Sequence, residues 1–434
     1  MTMNEPNFAS FLNSFYDSAS GIISANAATN YIITPQKMKG NAMLNTLTNA
    51  LTAFSRPIGE TLCVMENDLA GLYNSDRKQE YAPLLPYIHD GRFHFRNMEA
   101  DRMLMIPLLM DFSQDRKILD DIYYPYNAED KITPYAEDTI AGIKEYYRQH
   151  PDGLFEFYPF IGIDPRLHSL QFMESLFDKY VNTSHRFHAP HEIPDKPCYG
   201  IKLYPPLGFK PWPNDRETLD KHRWLYSFCE RNRIPIITHS DDQGFRGTSA
   251  EEAWANTDPA SWRTVLENYP SLIIDFAHFG KQYAIATRSN MQSIAAKLKK
   301  HPDSPWFYSI ISLMMDFDNV YADVSFSGCN QDFYTELCNY LKDQKESSRE
   351  RIMDRILFGS DFSVNLLKVE SYTEYFSVFE NSEFSDSDAE RIAETNPLRF
   401  LALEEPSSPL RGRNSIGSPE RSGKVRRTIK PRSV

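Results

Sequence analysis

Short runs of apolar residues recur along the chain from about residue 101 onward, and each is followed by a polar or amphipathic stretch long enough for a helix. Such runs lack polar alternation, which is typical of parallel strands buried on both faces. The pattern therefore predicts repeated strand–helix units. Their seven candidate strands are Met103–Leu109, Phe155–Ile163, Tyr199–Tyr204, Ile234–Thr238, Leu272–Ala277, Val320–Val324 and Ile356–Phe358.

Polar residues in front of the helical stretches predict where several helices begin. Asp215 and Asp258 each stand just before apolar positions at helical spacing, as helix caps do. Near the end of the chain, Asp386 is predicted to cap a helix that runs through Glu394 and is stopped by Asn396–Pro397.

These units predict an α/β fold, and we favour a TIM-type (β/α)8 barrel over a doubly wound sheet. A doubly wound sheet normally carries a glycine-rich phosphate turn after its first strand, and the chain has neither a Gly-x-Gly-x-x-Gly nor a Walker motif. A barrel also needs an eighth strand, which the pattern does not reveal. The first strand is therefore expected to be missing or degenerate.

Composition and charge divide the 434-residue chain into three predicted regions. Residues 1–100 are expected to be mostly helical, with helices near 45–54 and 60–73, and residues 101–402 form the barrel. Residues 403–434 are expected to be a basic disordered tail, because residues 406–434 carry eight Lys or Arg against Glu420. The net charge of −12 then leaves the rest of the chain at about −19.

An acidic barrel argues against a nucleic-acid groove, which needs clustered cations. No apolar stretch is long enough for a membrane span, the first residues do not resemble a secretory signal, and the five cysteines form no close pairs. We therefore expect a cytoplasmic protein with a small-molecule substrate, without nucleic-acid or membrane partners, and leave a homo-oligomer open.

Polar residues end three of the predicted strands, where the loops of a parallel barrel converge on one rim. His239 and His278 close the fifth and sixth strands of the barrel, and Asp361 follows the eighth. Two imidazoles and a carboxylate are ligand types that bind zinc or a similar divalent ion, which can acidify a bound water. Lys202, on the fourth strand, is either part of an ordinary salt bridge, a binder of an anionic group or a metal-bridging carbamate.

At this point the chain resembles a known family. The order and spacing of five motifs are similar to the amidohydrolase-related branch of the amidohydrolase superfamily, which includes aminocarboxymuconate semialdehyde decarboxylase. The resemblance covers roughly residues 101–402 and extends to the last helix, with 396–401. The motifs are Phe160–Arg166, Gly200–Pro206, Pro235–Ser240, Asp275–His278 and Leu357–Asp361.

The resemblance implies a zinc or manganese ion and a role for each matching residue. His239 would be a metal ligand, Asp361 a ligand or the base that activates the metal-bound water, and His278 a general acid/base or a group that stabilises the developing anion. Lys202, Tyr204 and Arg166 would bind the substrate.

One departure from the family weakens the predicted metal site. Family members carry His-x-His at the end of the first strand, and this chain has none, so its ligand set is predicted to be incomplete. His89 and His94 have the wrong spacing. His185, His188 and His191 resemble a ligand cluster but precede the fourth strand at the opposite rim. Either the sequence lacks the first strand, or the protein has lost its metal.

The sequence thus predicts a metal-dependent hydrolase that acts on a small carboxylated or amide-bearing molecule. A carbon–carbon lyase of the same family is one alternative. A catalytically silent barrel that binds a ligand or serves as a scaffold is the alternative from a different class of protein.

Overall fold

The computed structural model describes residues 56–72, 86–113, 130–244, 246–283, 300–369 and 371–403. Within these ranges the strands are β1 (Ile88–His89), β2 (Arg92–Phe95), β3 (Met98–Ala100), β4 (Met103–Met105), β5 (Phe155–Phe157), β6 (Phe160–Gly162), β7 (Gly200–Leu203), β8 (Ile236–Thr238), β9 (Ile274–Phe276), β10 (Val320–Asp323) and β11 (Ile356–Leu357).

The α-helices lie between and beside these strands. In chain order they are α1 (Ile58–Leu69), α2 (Ile132–Gln149), α3 (Leu170–Tyr180), α4 (Arg216–Arg231), α5 (Ala250–Thr257), α6 (Arg263–Asn268), α7 (Pro305–Asp316), α8 (Gln331–Lys342), α9 (Glu346–Met353), α10 (Tyr372–Glu380), α11 (Asp386–Glu390) and α12 (Asn396–Phe400). None of the helices in the described ranges is long and apolar enough to cross a membrane.

The strands of the second part of the chain are parallel and follow one another in sequence order. β6 to β11 form a six-stranded sheet, β4 pairs with β5, and a bridge between Leu108 and Phe160 joins the two groups. All seven predicted apolar runs therefore contain a strand, and the predicted α/β architecture is confirmed. Within the described ranges the sheet does not close into a complete barrel.

Alternate residues of the strands pack on opposite faces of the sheet, as the two-residue period of a strand requires. Ile201 and Ile236 belong to a large core that includes the helices, whereas Tyr199 and Ile237 belong to a second apolar cluster with Phe400. Side chains of the second face that lie nearer the carboxyl ends of the strands are polar. The polar carboxyl ends of the strands are therefore where a functional site is expected.

The helix starts at Asp215 and Asp258 are confirmed, because each side chain accepts a hydrogen bond from the first turn that follows it. The prediction for the last helix was wrong. Ser385 is its cap, and the chain stays helical past Asn396–Pro397 through a π-helical turn. The wider turn accommodates a proline. The side-chain amide of Asn396 donates hydrogen bonds to the carbonyls of residues 353 and 356.

The region before the barrel differs in part from the expected helices. α1 overlaps the segment 60–73 predicted as helical, but β1, β2 and β3 form an antiparallel sheet that the sequence did not reveal. Strands of two to four residues are too short for alternation to be detected. The helix expected at residues 45–54 and the tail 404–434 lie outside the described residues, and the domain boundary at residue 100 stays a prediction.

α1 lies against the barrel rather than apart from it. Glu66 accepts a hydrogen bond from Leu154 N, just before β5, at 2.6 Å. Asp68 accepts from Thr373 N, and the Thr373 hydroxyl donates to the Asp68 carbonyl, both at 2.8 Å. α1 therefore joins the first described strand–helix unit, through Leu154, to the last one, through Thr373.

Candidate metal centre at the carboxyl ends of the strands

His239 and His278 are brought to the same edge of the parallel sheet by the ends of β8 and β9. The His239 backbone N–H donates to Leu203 O at 3.1 Å, which extends the pairing of β7 and β8 by one residue. Both imidazoles are buried, with about one-twentieth of each residue exposed. The two histidines predicted from separate motifs thus lie side by side.

The surroundings of His239 determine which ring nitrogen carries the proton. Its Nε2 lies 3.1 Å from Asp241 Oδ1 and 3.1 Å from the Gln243 carbonyl oxygen. A carbonyl oxygen accepts hydrogen bonds and never donates them, so Nε2 must carry the hydrogen. The lone pair of the neutral ring is therefore on Nδ1.

The surroundings of His278 place its hydrogen on the other ring nitrogen, Nδ1. Its backbone has the left-handed φ of 66°, and its N–H donates to Asp323 Oδ1 at 2.9 Å. Its Nδ1 lies 3.1 Å from the Ser325 carbonyl oxygen and 2.9 Å from Ser325 Oγ, which itself donates to Asp323. Nδ1 therefore carries a hydrogen, and Nε2 remains as the nitrogen that can hold a lone pair.

The two remaining nitrogens, His239 Nδ1 and His278 Nε2, face each other at 3.3 Å. Two lone pairs at this distance repel each other unless a cation lies between or beside them. Two nitrogens that each bind one ion at about 2.0–2.1 Å in a tetrahedral arrangement are about 3.3 Å apart. The pair therefore fits a bound divalent ion as well as a shared proton.

The carboxylate of Asp241 lies close to the two imidazoles. His239, Asp241 and His278 each offer a ligand atom, and these atoms all lie within 4.8 Å of one another. No other such group occurs within the ranges that the structure describes. Imidazole nitrogen and carboxylate oxygen suit zinc and manganese. Asp241 was not among the residues predicted from the sequence, although its position two residues after a strand-end histidine would have placed it on the same rim.

The charges around the pair support one neutral and one cationic imidazole in the absence of metal. Burial lowers the pKa of His239, although Asp241 acts in the opposite direction. Burial alone would also lower the pKa of His278, but surrounding carboxylates outweigh it and raise this pKa. Those carboxylates belong to Asp241, Asp361 and Asp323.

Asp361 lies near this group without being one of the three clustered ligands. It follows β11 with a left-handed φ of 55°. Burial raises the pKa of its carboxyl group, while the positive charges of His278, Lys202 and His239 oppose that shift. The predicted role of Asp361 as ligand or base stays a prediction.

Lys202 lies below the histidines on the second face of β7, and only 5% of the residue is exposed. Burial lowers the pKa of its amine, against the effect of Asp361, Asp323 and Asp275. Asp275, on β9, is fully buried, and burial together with Asp323 raises its pKa well above the usual value. Both shifts favour the uncharged forms of the amine and the carboxyl group that lie buried next to the imidazoles.

The other predicted substrate-binding residues have different surroundings. The Tyr204 ring lies 4.6 Å from the His239 ring, between centroids, and belongs to the site. Arg166 holds the Asp164 carboxylate with Nε at 3.0 Å and Nη2 at 2.6 Å, and also donates to Leu207 O. Its guanidinium thus ties the loop after β6 to the turn after β7.

The remaining candidate histidines have structural partners. His89 and His94 stack on each other in the small antiparallel sheet, with ring centroids 3.7 Å apart. His188 lies near the carbonyls of Phe157 and Ala189, and His191 near that of Gly153. His185, His188 and His191 therefore form no ligand cluster within the described residues.

A buried pair that the sequence did not suggest lies on the neighbouring part of the rim. Asp111 Oδ2 is 2.7 Å from His168 Nε2, and the same carboxylate accepts from Ser113 and from Asp164 N. Burial would raise the pKa of Asp111, but His168 and Ser113 lower it. Because only 3% of each paired side chain is exposed, the pair connects the ends of two strands instead of facing a ligand.

Comparison with known sequences gives a family match for the second half of the chain. Residues 197–403, which include the whole histidine–carboxylate group, match the amidohydrolase family. This match confirms the resemblance to the amidohydrolase superfamily, whose members have TIM-type barrels. No curated protein sequence matches the chain.

Several solved structures are similar at low identity. A 2,6-dihydroxybenzoate decarboxylase complexed with 2,6-dihydroxybenzoate is 15% identical, with a TM-score of 0.37, over 66% of this chain and 81% of that one. A manganese complex of 5-carboxyvanillate decarboxylase from Novosphingobium aromaticivorans is 14% identical, with a TM-score of 0.40, over 70% and 77%. A probable 2-pyrone-4,6-dicarboxylic acid hydrolase from Acinetobacter baumannii is 12% identical, with a TM-score of 0.39, over 69% and 99%. Similarity at this level carries no argument about the reaction.

Proposed function

We propose that the protein is a metal-dependent hydrolase of a small carboxylated or amide-bearing molecule. The observation that carries this proposal is the pair of ring nitrogens, His239 Nδ1 and His278 Nε2, that face each other at 3.3 Å at the carboxyl end of a parallel sheet. Backbone carbonyls hold both rings in the tautomers that direct these nitrogens toward one point.

His239 and His278 would hold the ion, and a divalent ion bound there would supply Lewis-acid chemistry that acidifies a water molecule. Asp361, which follows β11, would accept the proton of that water, and burial raises the pKa of its carboxyl group. Lys202 supplies a buried positive charge that can orient a substrate carboxylate. The Tyr204 ring, 4.6 Å from the His239 ring between centroids, would contact the substrate.

The chain should first be tested for metal. Elemental analysis of the chain purified without added metal should give clearly less than one ion per chain, because the His-x-His ligands are missing. Titration with Mn²⁺ or Zn²⁺ should approach one weakly bound ion per chain, and the His239→Ala/His278→Ala double variant should bind none. The proposal would be contradicted if the wild-type chain, like the double variant, bound neither ion over the whole titration. The matched control is His89→Ala/His94→Ala, which removes two stacked histidines far from the site.

The reaction is then tested on the metal-loaded chain with a set of carboxylated amides, lactones and esters. Hydrolysis that disappears in Asp361→Asn supports the proposed reaction. Release of carbon dioxide from a carboxylated substrate without hydrolysis would identify a carbon–carbon lyase instead. Saturable ligand binding without any turnover would identify a silent barrel.

A further inference from the structure

The loop that follows β8 folds back onto the ring of His239. Within this loop, Asp241 accepts a hydrogen bond from Gln243 N through Oδ1 at 2.7 Å, and the same oxygen lies 3.1 Å from His239 Nε2. This local turn brings the Gln243 carbonyl to 3.1 Å from the same ring nitrogen. One carboxylate therefore organises both acceptors that surround His239 Nε2.

The loop can approach the ring this closely because of Gly244. Its φ of 99° lies in the left-handed region, and a Cβ at this position would collide with Tyr204 Oη and approach His239 Cε1. The backbone conformation at Gly244 thus allows the close contact between the loop and the ring. Asp241 contacts the ring at Nε2, on the side opposite to Nδ1.

A carboxylate oxygen that accepts a hydrogen bond from Nε2–H makes the other ring nitrogen more basic and fixes the plane of the ring. A direct ligand would need an oxygen on the Nδ1 side of His239, whereas Asp241 Oδ1 is in contact with Nε2.

We propose that Asp241 is a positioning residue that acts through His239: it holds the ring as the Nε2–H tautomer, with Nδ1 directed at His278, without contacting the bound ion itself. This inference rests on the proposed function, because the ion is the reason for the arrangement. Asp241, the third residue of the histidine–carboxylate group, would thus support a ligand of the ion without being a ligand itself.

The test uses Co²⁺, whose visible absorption reports the donor atoms directly bound to it. Removing an outer-shell partner of a metal-bound histidine typically weakens metal affinity about 10- to 100-fold. We therefore expect Asp241→Ala to raise the Kd for Co²⁺ by that factor while the bands at saturation keep their position and intensity. Asp241→Asn retains an oxygen acceptor and should restore part of the affinity.

Asp242→Asn is the matched control. Asp242 is the adjacent residue and is equally buried, but its carboxylate accepts from Tyr283 N at 2.8 Å and from the Gln243 side chain. Its Kd for Co²⁺ should stay within about twofold of the wild-type value, since no ring nitrogen loses a partner. An Asp241→Ala chain with wild-type Kd, or with shifted bands at saturating Co²⁺, would overturn the proposal; shifted bands would make Asp241 a direct ligand.

A second measurement needs no metal and separates this inference from the proposed function. In the metal-free chain with ¹⁵N-labelled histidine, we expect His239 to show a protonated Nε2 and a bare Nδ1, and Asp241→Ala to show a mixture of tautomers. A protonated Nδ1 in the wild type would refute the inference even if metal binds. Failure of the wild-type chain to bind any metal, with the expected tautomer present, would refute only the proposed function.

Discussion

The ion pair between His150 and Glu66 should stabilise the protein, and its loss at alkaline pH should lower the free energy of unfolding. His150 follows α2, and its Nδ1 lies 2.7 Å from Glu66 Oε2 on α1. A hydrogen bond with Cys63 and the contact with Glu66 raise the pKa of His150 to about 9, from a usual value of 6.5. Tyr146 Oη donates to the same Glu66 oxygen at 2.8 Å.

The direction of the effect follows from the raised pKa. The folded protein favours the imidazolium, so the contribution to stability is fully present below pH 6.5 and is lost as the pH rises through about 9. A shift of this size corresponds to an upper limit of about 3.4 kcal/mol. Because the ring is partly exposed to solvent, screening should reduce the measured contribution to roughly 1–2 kcal/mol.

The assay is urea unfolding of the wild type and of His150→Gln at pH 6.5 and pH 9.5. The free energy of unfolding of the wild type should fall between these values by roughly 1–2 kcal/mol more than that of the variant. His301→Gln is the matched control, because His301 pairs with Asp343 at 2.8 Å on the surface, where such pairs contribute little. Equal pH dependence in the wild type and His150→Gln would refute the reasoning.

A further prediction concerns the same region of the molecule. Thr373→Val should lower the free energy of unfolding by about 0.5–1.5 kcal/mol, because it removes one buried hydrogen bond from the Asp68 carbonyl, which still accepts from Gly71 N. Thr61→Val, which removes an exposed hydroxyl bond to Pro57 O, should cost clearly less in the same urea titration, and equal losses would argue against the contact.

The strands and the two histidines could be predicted because their patterns are local. Runs such as 234–238 are buried on both faces, so their apolar character is continuous, and a polar residue at the end stands out. The sequence alone therefore predicts that His239 and His278 lie at one rim. The same reasoning extends to Lys202, whose burial on the second face follows from the two-residue period of β7.

The parts that could not be predicted depend on tertiary contacts. Asp241 and the Asp111–His168 pair lie in loops. The sequence can place Asp241 on the same rim as His239, but spacing in a loop does not fix the direction of a side chain or show which side chains meet. The length of the last helix was misjudged because a π-helical turn accommodates Pro397. The orientation of Arg166 toward Asp164 also depends on a loop contact.

The position of α1 has a consequence for how the chain folds. Asp68 and Thr373 are 305 residues apart in sequence, so their contact closes almost the whole described chain into one loop. Contacts between such distant residues form slowly, because most of the chain must be ordered before they can be made. The α1 contacts should therefore form late, and hydrogen exchange there should report the completion of folding.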